Sequence, residues 1–143
     1  MLYEILSDLV KIENVLFVIR NEGAVSEIRS NELTIRQKEK WINIGENDGP
    51  CHMHVNSELI KKTEFVKEQK PERISFSVRF YNENNERVLA AFITKMYDND
   101  MNIIAERLSS YEGLFEKYGS KDSGGILGEI LEPLLKKKPK TKK

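Results

Sequence analysis

The residues from Ile74 to Tyr81 constrain the fold more than any other part of this sequence. Apolar side chains alternate there with other residues, with a period of two over the whole stretch; the apolar ones are Ile74, Phe76, Val78 and Phe80. This alternation predicts a β-strand with one face against a core. The turn-forming residues 82–86 follow, and the apolar run 88–93 then predicts a central strand that closes a hairpin.

Shorter strand signals precede this hairpin. The predicted strands cover residues 14–20, 24–28, 32–36, 41–44 and 51–55. The first two are separated by Asn21-Glu22-Gly23, whose residue types favour a turn. The stretch 60–66 fits a helix or a strand equally well.

Helical periodicity flanks the strands. Apolar residues recur at spacings of three and four in residues 2–12 and again in residues 102–118. Asp100 is the predicted N-cap of the second helix and Gly119 its terminator, and residues 126–135 predict a short terminal helix. The order of helix, six to eight sequential strands and helix predicts an α+β domain with a mostly antiparallel meander sheet.

Length and charge narrow the class of protein. A chain of 143 residues suggests one domain, which we place at residues 1–135. Residues 136–143 hold six lysines and no acid, and we expect a disordered tail there. Because Lys+Arg and Asp+Glu are equal at 23 each, the remainder of the chain is net acidic. A domain built for sequence-specific nucleic-acid binding is therefore not expected.

The compartment is predicted from three features. Cys51 is the only cysteine, so no internal disulfide is possible. No run of residues approaches the roughly 20 apolar side chains of a membrane span. The first residues carry acids where a signal peptide carries bases. We expect a soluble cytoplasmic protein without membrane insertion.

The only two histidines, His52 and His54, stand two residues apart. On a strand they project to one face, where they can share an ion or a cofactor, while Cys51 and Met53 point the other way. A zinc site would need a carboxylate as well, since no further histidine or cysteine remains. The alternative is a half-exposed strand whose histidines bind nothing. Nucleophile elbows and phosphate-binding glycine loops are absent from the sequence, and no catalytic residue is predicted.

Five short motifs then point to a family. In order along the chain they are residues 17–25, 41–43, 52–55, 77–82, and Phe92 with Lys95. Together they resemble the haem-utilisation carrier families of the HemS and ChuX/HutX type. HemS-type proteins carry a further ligand histidine in the stretch that corresponds to residues 26–30, which has none here. The equivalent position in ChuX-type members falls at or near Arg20.

The resemblance implies a curved antiparallel sheet with flanking helices, and a homodimer, because the chain is one half long. It implies a cytoplasmic carrier of haem or another tetrapyrrole. The expected site has His54 as principal ligand to the metal and His52 as secondary ligand. The other expected contacts are Phe80 and Phe92 as apolar wall, Lys95 at a propionate, and Arg20. The alternatives are a module of the same fold that has lost haem binding and, third, a haem-degrading enzyme.

Overall fold

The structure, a computed structural model, describes residues 1–119 and residues 131–132. The chain begins with helix α1 (Leu2–Val10). Helix α2 (Ala105–Leu114) follows the eight main strands and continues into a π-helical turn (Phe115–Gly119). Eight strands lie between the helices: β1 (Val15–Arg20), β2 (Val25–Arg29), β3 (Ile35–Lys38), β4 (Trp41–Ile44), β5 (Met53–Asn56), β6 (Lys62–Gln69), β7 (Ile74–Tyr81) and β8 (Arg87–Ile93). A two-residue strand, β9, is formed by Leu131–Glu132.

The strands form two sheets. The larger has the order β2-β1-β8-β7-β6-β9 and the smaller the order β3-β4-β5. All pairs are antiparallel except β6 with β9. The α+β class and the antiparallel meander with flanking helices are thus confirmed, and β7 has the bounds that alternation predicts.

A single core joins both sheets to the helices. Helix α1 buries one face, and β7 contributes Phe76, Val78 and Phe80. The smaller sheet adds the side chains Ile42, Ile44, Met53 and Val55. The Tyr111 ring of α2 meets the Phe76 ring edge to face at 5.1 Å. Each fully buried apolar side chain of this kind stabilises the fold by about 1.5–3 kcal/mol.

Two predictions about the helices are wrong. Helix α2 has its N-cap at Ile104, without a side-chain hydrogen bond, and Asp100 does not cap it. The reason lies in the preceding loop, where Asp98 Oδ1 accepts hydrogen bonds from the backbone N–H groups of Asp100 and Asn102. Residues 98–102 therefore form a turn closed by the Asp98 carboxylate, and the helix begins only after this turn.

The terminal helix predicted at 126–135 is contradicted at Leu131–Glu132. These two residues pair in parallel with Lys67 and Glu68 of β6. Strand β6 would otherwise be an edge with unpaired backbone groups, and this pairing satisfies part of them. The rest of that predicted helix and the lysine tail 136–143 lie outside the described residues. No helix in residues 1–119 is long and apolar enough to cross a membrane.

Candidate functional site

Strand β5 presents the histidines on the outer face of the smaller sheet. His54 is exposed, whereas its neighbours Met53 and Val55 are buried in the core. The His52 ring lies beside it, with 5.3 Å between the two ring centroids. Gly45 allows this arrangement, because its φ is +86° and an added Cβ would lie 2.4 Å from the Cys51 carbonyl oxygen. The end of β4 therefore passes directly against the segment that carries His52.

The orientation of His54 is set by the strand opposite. Asn43 of β4 is its register partner, and Asn43 Oδ1 lies 2.6 Å from His54 Nδ1. An amide oxygen only accepts hydrogen bonds, so this contact requires the proton on Nδ1, and in the tautomer that it favours the lone pair is on Nε2. A hydrogen bond of this kind fixes the ring and the tautomer of a metal-ligating histidine.

A shallow depression of about 460 Å³, which we call the His54 groove, lies on this outer face. It is lined by Lys38, Glu39, Trp41, Asn43 and His54. The Trp41 side chain is 41% exposed, although large aromatic side chains are usually buried. The groove thus combines an imidazole, a flat aromatic surface and a cation.

Three of the predicted site residues lie in another place. Arg20, Phe92 and Lys95 line a cavity of about 370 Å³ on the face of the larger sheet that points away from the helices. We call it the basic cavity, because Arg73 and Arg87 line it as well. Its floor is apolar and includes Leu16, Val18 and Phe92.

The remaining predicted residue, Phe80, is fully buried in the core. Its register partner on β8 is Leu89, which faces the core, whereas Phe92 is paired with Ser77 and faces the other way. Phe80 lines neither the His54 groove nor the basic cavity. The residues expected in one cleft are therefore divided in this chain between a groove, a cavity and the core.

Several residues that line the His54 groove and the basic cavity were not predicted from the sequence as site residues. Trp41 and Asn43 were recognised only as parts of a strand and a motif, and Lys38, Arg73 and Arg87 not at all. The single tryptophan is visible in the sequence, but its exposure is not, and the contact of Asn43 with His54 depends on the register between two strands. In residues 1–119, no three side chains among His, Cys, Asp and Glu are grouped to hold a metal ion.

The basic cavity is distinguished from the His54 groove by the arginine side chains that line it. Burial lowers the pKa of Arg87, and repulsion from Arg79 and Arg20 lowers it further. Arg79 has its own partner, since its guanidinium lies 3.0 Å from a carboxylate oxygen of Glu68. Arg87 and Arg20 have no such salt bridge within residues 1–119. The cavity therefore gathers several cationic side chains, and Glu27 is the one acidic side chain that lines it.

Comparison with known proteins identifies a family model and solved structures that match this chain. A protein-family model matches residues 3–119, which is most of the chain. Among curated proteins none matches. The heme-binding protein ChuX has a similar structure, with a TM-score of 0.67 and 13% identity over 80% of this chain and 70% of that one.

Two longer proteins also share the fold. Holo-PhuS, a heme-binding protein from Pseudomonas aeruginosa, matches with a TM-score of 0.62 and 12% identity over 78% of this chain and 31% of its own. ChuS, an E. coli heme oxygenase, matches with a TM-score of 0.61 and 12% identity over 79% of this chain and 33% of its own. This chain thus spans about a third of each of these two proteins. Because the family model covers most of the chain and the architecture is shared, the chain belongs to the family of HemS-like and ChuX-type proteins.

Proposed function

We propose that this chain is a cytoplasmic carrier of haem or a related tetrapyrrole, with His54 as axial ligand to the iron. The observation that supports this most is the His54–Asn43 hydrogen bond, which orients the His54 ring in the same groove as the exposed Trp41. A neutral imidazole is a common axial ligand of haem iron. The solved structures with this fold include haem-binding proteins.

The groove fits such a ligand in three respects. Its volume of about 460 Å³ lies within the range of about 300–1,000 Å³ that small-molecule sites occupy. The Trp41 indole offers an aromatic surface against which a planar ring system packs. The Lys38 ammonium at the rim supplies a charge-assisted hydrogen bond to a propionate. Bound haem would supply the iron and the absorption bands by which binding is measured.

His52 has a secondary role in this proposal. Its ring lies close to that of His54 but has no hydrogen bond to another side chain within residues 1–119. A ring that is not fixed loses more conformational freedom when it binds a metal. His52 therefore adjusts the affinity, and His54 determines the ligation.

The test is a titration of the purified apo protein with haemin, followed by absorption. A carrier gives a saturable shift of the Soret band with one haemin for each groove, and the band is stable when a reductant and oxygen are added. Loss of the band under those conditions would identify a haem-degrading enzyme instead. A titration that matches haemin in buffer would identify a module that does not bind haem. Either of these two results contradicts the carrier proposal.

We also propose that the chain acts as a homodimer. Strand β2 is an edge of the larger sheet. The exposed apolar side chain of Val25 lies on this strand, and that of Ile19 lies on the adjoining strand β1. An edge strand with apolar side chains is a surface that favours pairing with another chain. Light scattering at micromolar concentration should give twice the mass of 16.6 kDa. A monomer under those conditions contradicts the dimer.

A further inference from the structure

His52 and His54 form a pair of exposed imidazoles that lie side by side on the outer face of the smaller sheet. The ring centroids are 5.3 Å apart, and the ring planes are tilted by 59° and are therefore not stacked. Two imidazoles that bind one zinc ion at a tetrahedral angle, with Zn–N bonds of about 2.0–2.1 Å, have centroids roughly 5 Å apart. The separation of the two rings thus fits a shared tetrahedral ion.

The backbone of both histidines is held in place before any ion binds. His54 lies on β5 and is paired with Asn43 of β4. His52 packs against Gly45, where an added Cβ would lie 3.0 Å from the His52 Cα and 3.2 Å from the His52 Cβ. Ligands on a backbone that is already ordered lose less conformational freedom on binding. The pair is therefore preorganised for a ligand that needs both rings.

The ring nitrogens that an ion needs are available. The contact of Asn43 Oδ1 with His54 Nδ1 favours the tautomer whose lone pair is on Nε2. The His52 ring has no hydrogen bond to another side chain within residues 1–119. Imidazole nitrogens are ligands that suit Zn²⁺ and the neighbouring transition metals. An outer hydrogen bond such as that from His54 to Asn43 typically supports a metal-ligating histidine.

The surroundings of the pair define the kind of metal site. In residues 1–119, no carboxylate or thiol joins the two histidines in a group of three ligands. Two protein ligands leave the other positions of a tetrahedral ion to water, in contrast to the closed set of four that holds a structural zinc ion. Lys38 and Glu39, which line the adjoining groove, carry opposite charges that offset each other near a dication. The site is therefore open and suits an exchangeable ion.

We propose that His52 and His54 together chelate one exchangeable Zn²⁺ ion, with water in its remaining positions. The proposal does not depend on haem binding. It uses the same nitrogen of His54, however, so a bound zinc ion excludes ligation of haem iron by that histidine.

Isothermal titration calorimetry of the full-length apo protein with zinc chloride, in the absence of haemin, tests the proposal. We expect one saturable site for each chain. His52→Ala and His54→Ala should each weaken zinc binding about tenfold or more, because a chelate that loses either ligand loses its intramolecular second contact. Both side chains are exposed, so the thermal midpoint of each variant should match that of the parent.

Cys51→Ser is the matched control. The Cys51 thiol is next to His52 in the sequence but is not grouped with the two histidines, so this variant should bind zinc like the parent. The proposal is overturned if zinc shows no saturable binding, if only one of the two histidine variants weakens binding, or if Cys51→Ser weakens it as much as they do. Haem ligation is assigned to His54 alone and is followed by the Soret band, so either proposal can fail without the other.

Discussion

The Nδ1 atom of His54 and the Oδ1 atom of Asn43 lie 2.6 Å apart across the ladder between β5 and β4. Because the two residues are register partners, the orientation of the imidazole is a consequence of how these strands pair. A shift of β5 by one residue would turn His54 towards the core while Asn43 stayed on the outer face. The candidate ligand is therefore positioned by the sheet itself and not by a loop.

Replacement of Asn43 should weaken haemin binding while the ligand itself is intact. Hydrogen-bond partners of metal-ligating histidines are typically worth about 10–100-fold in affinity, and we expect a loss in that range for Asn43→Ala. Asn43→Asp keeps an oxygen acceptor and should restore most of the affinity. Soret titrations of the three proteins measure this. Equal affinity in Asn43→Ala and the parent would show that the contact has no role in ligation.

Emission from Trp41 should report binding directly. It is the only tryptophan in the sequence, and it lines the same groove as His54. Haem in the groove would lie against the indole, so tryptophan fluorescence should be strongly quenched at one equivalent of haemin. The titration should end at the same ratio as the Soret shift. A saturated Soret shift with unchanged emission would place the haem away from Trp41.

Phe80 should behave as a core residue and not as part of a ligand wall. It is fully buried, and Phe80→Ala should lower the free energy of unfolding by about 3–5 kcal/mol. Phe92, half-buried in the basic cavity, is the matched control, and Phe92→Ala should cost clearly less. Urea denaturation followed by circular dichroism measures both. A smaller loss for Phe80→Ala than for Phe92→Ala would contradict the assignment of Phe80 to the core.

Asp8 should contribute stability that depends on pH. Burial raises the pKa of this carboxyl, but hydrogen bonds from Tyr118 and Lys117 outweigh burial, so on balance the pKa lies below its ordinary value of 3.8. The Tyr118 hydroxyl donates to Asp8 Oδ2 at 2.5 Å, and Lys117 Nζ lies 3.0 Å from the same oxygen. A folded-state pKa below the unfolded one means that the contribution is complete above the ordinary value. It is lost as the pH falls through the lower, folded-state value.

The variant Asp8→Asn isolates this contribution. At neutral pH it should lower the free energy of unfolding by about 1 kcal/mol. The difference between variant and parent should shrink as the solution is acidified below the ordinary pKa of an aspartate. Urea midpoints measured across this range give the comparison. A difference that is constant over the whole range would show that ionisation of Asp8 is not involved.

Much of the fold follows from local patterns in the sequence. The alternation in β7 and the turn chemistry around Asn21 each depend on a few adjacent residues, and the structure has both. The strand at β9 and the position of the α2 N-cap were not predicted, because they depend on an edge strand and on a loop contact of Asp98. These are tertiary effects that override local propensity.

The candidate site was predicted less completely than the fold. The His52–His54 pair is visible in the sequence because the alternation of a strand is local. That His54 and Lys95 line different depressions is not visible, since it depends on the division of the strands into two sheets. Arg87 enters the basic cavity only because β8 lies between β1 and β7 in the larger sheet.

The haemin difference spectrum of His54→Ala, compared with that of His52→Ala, tests the central claim most directly. Both histidines are exposed and neighbouring, so each variant controls for the loss of an imidazole from the same surface. We predict that His54→Ala loses the histidine-ligated Soret spectrum, whereas His52→Ala retains its shape and binds haemin only a few-fold more weakly. If His54→Ala gave the spectrum and affinity of the parent, His54 would not be the axial ligand, and the account of the His54 groove would be wrong.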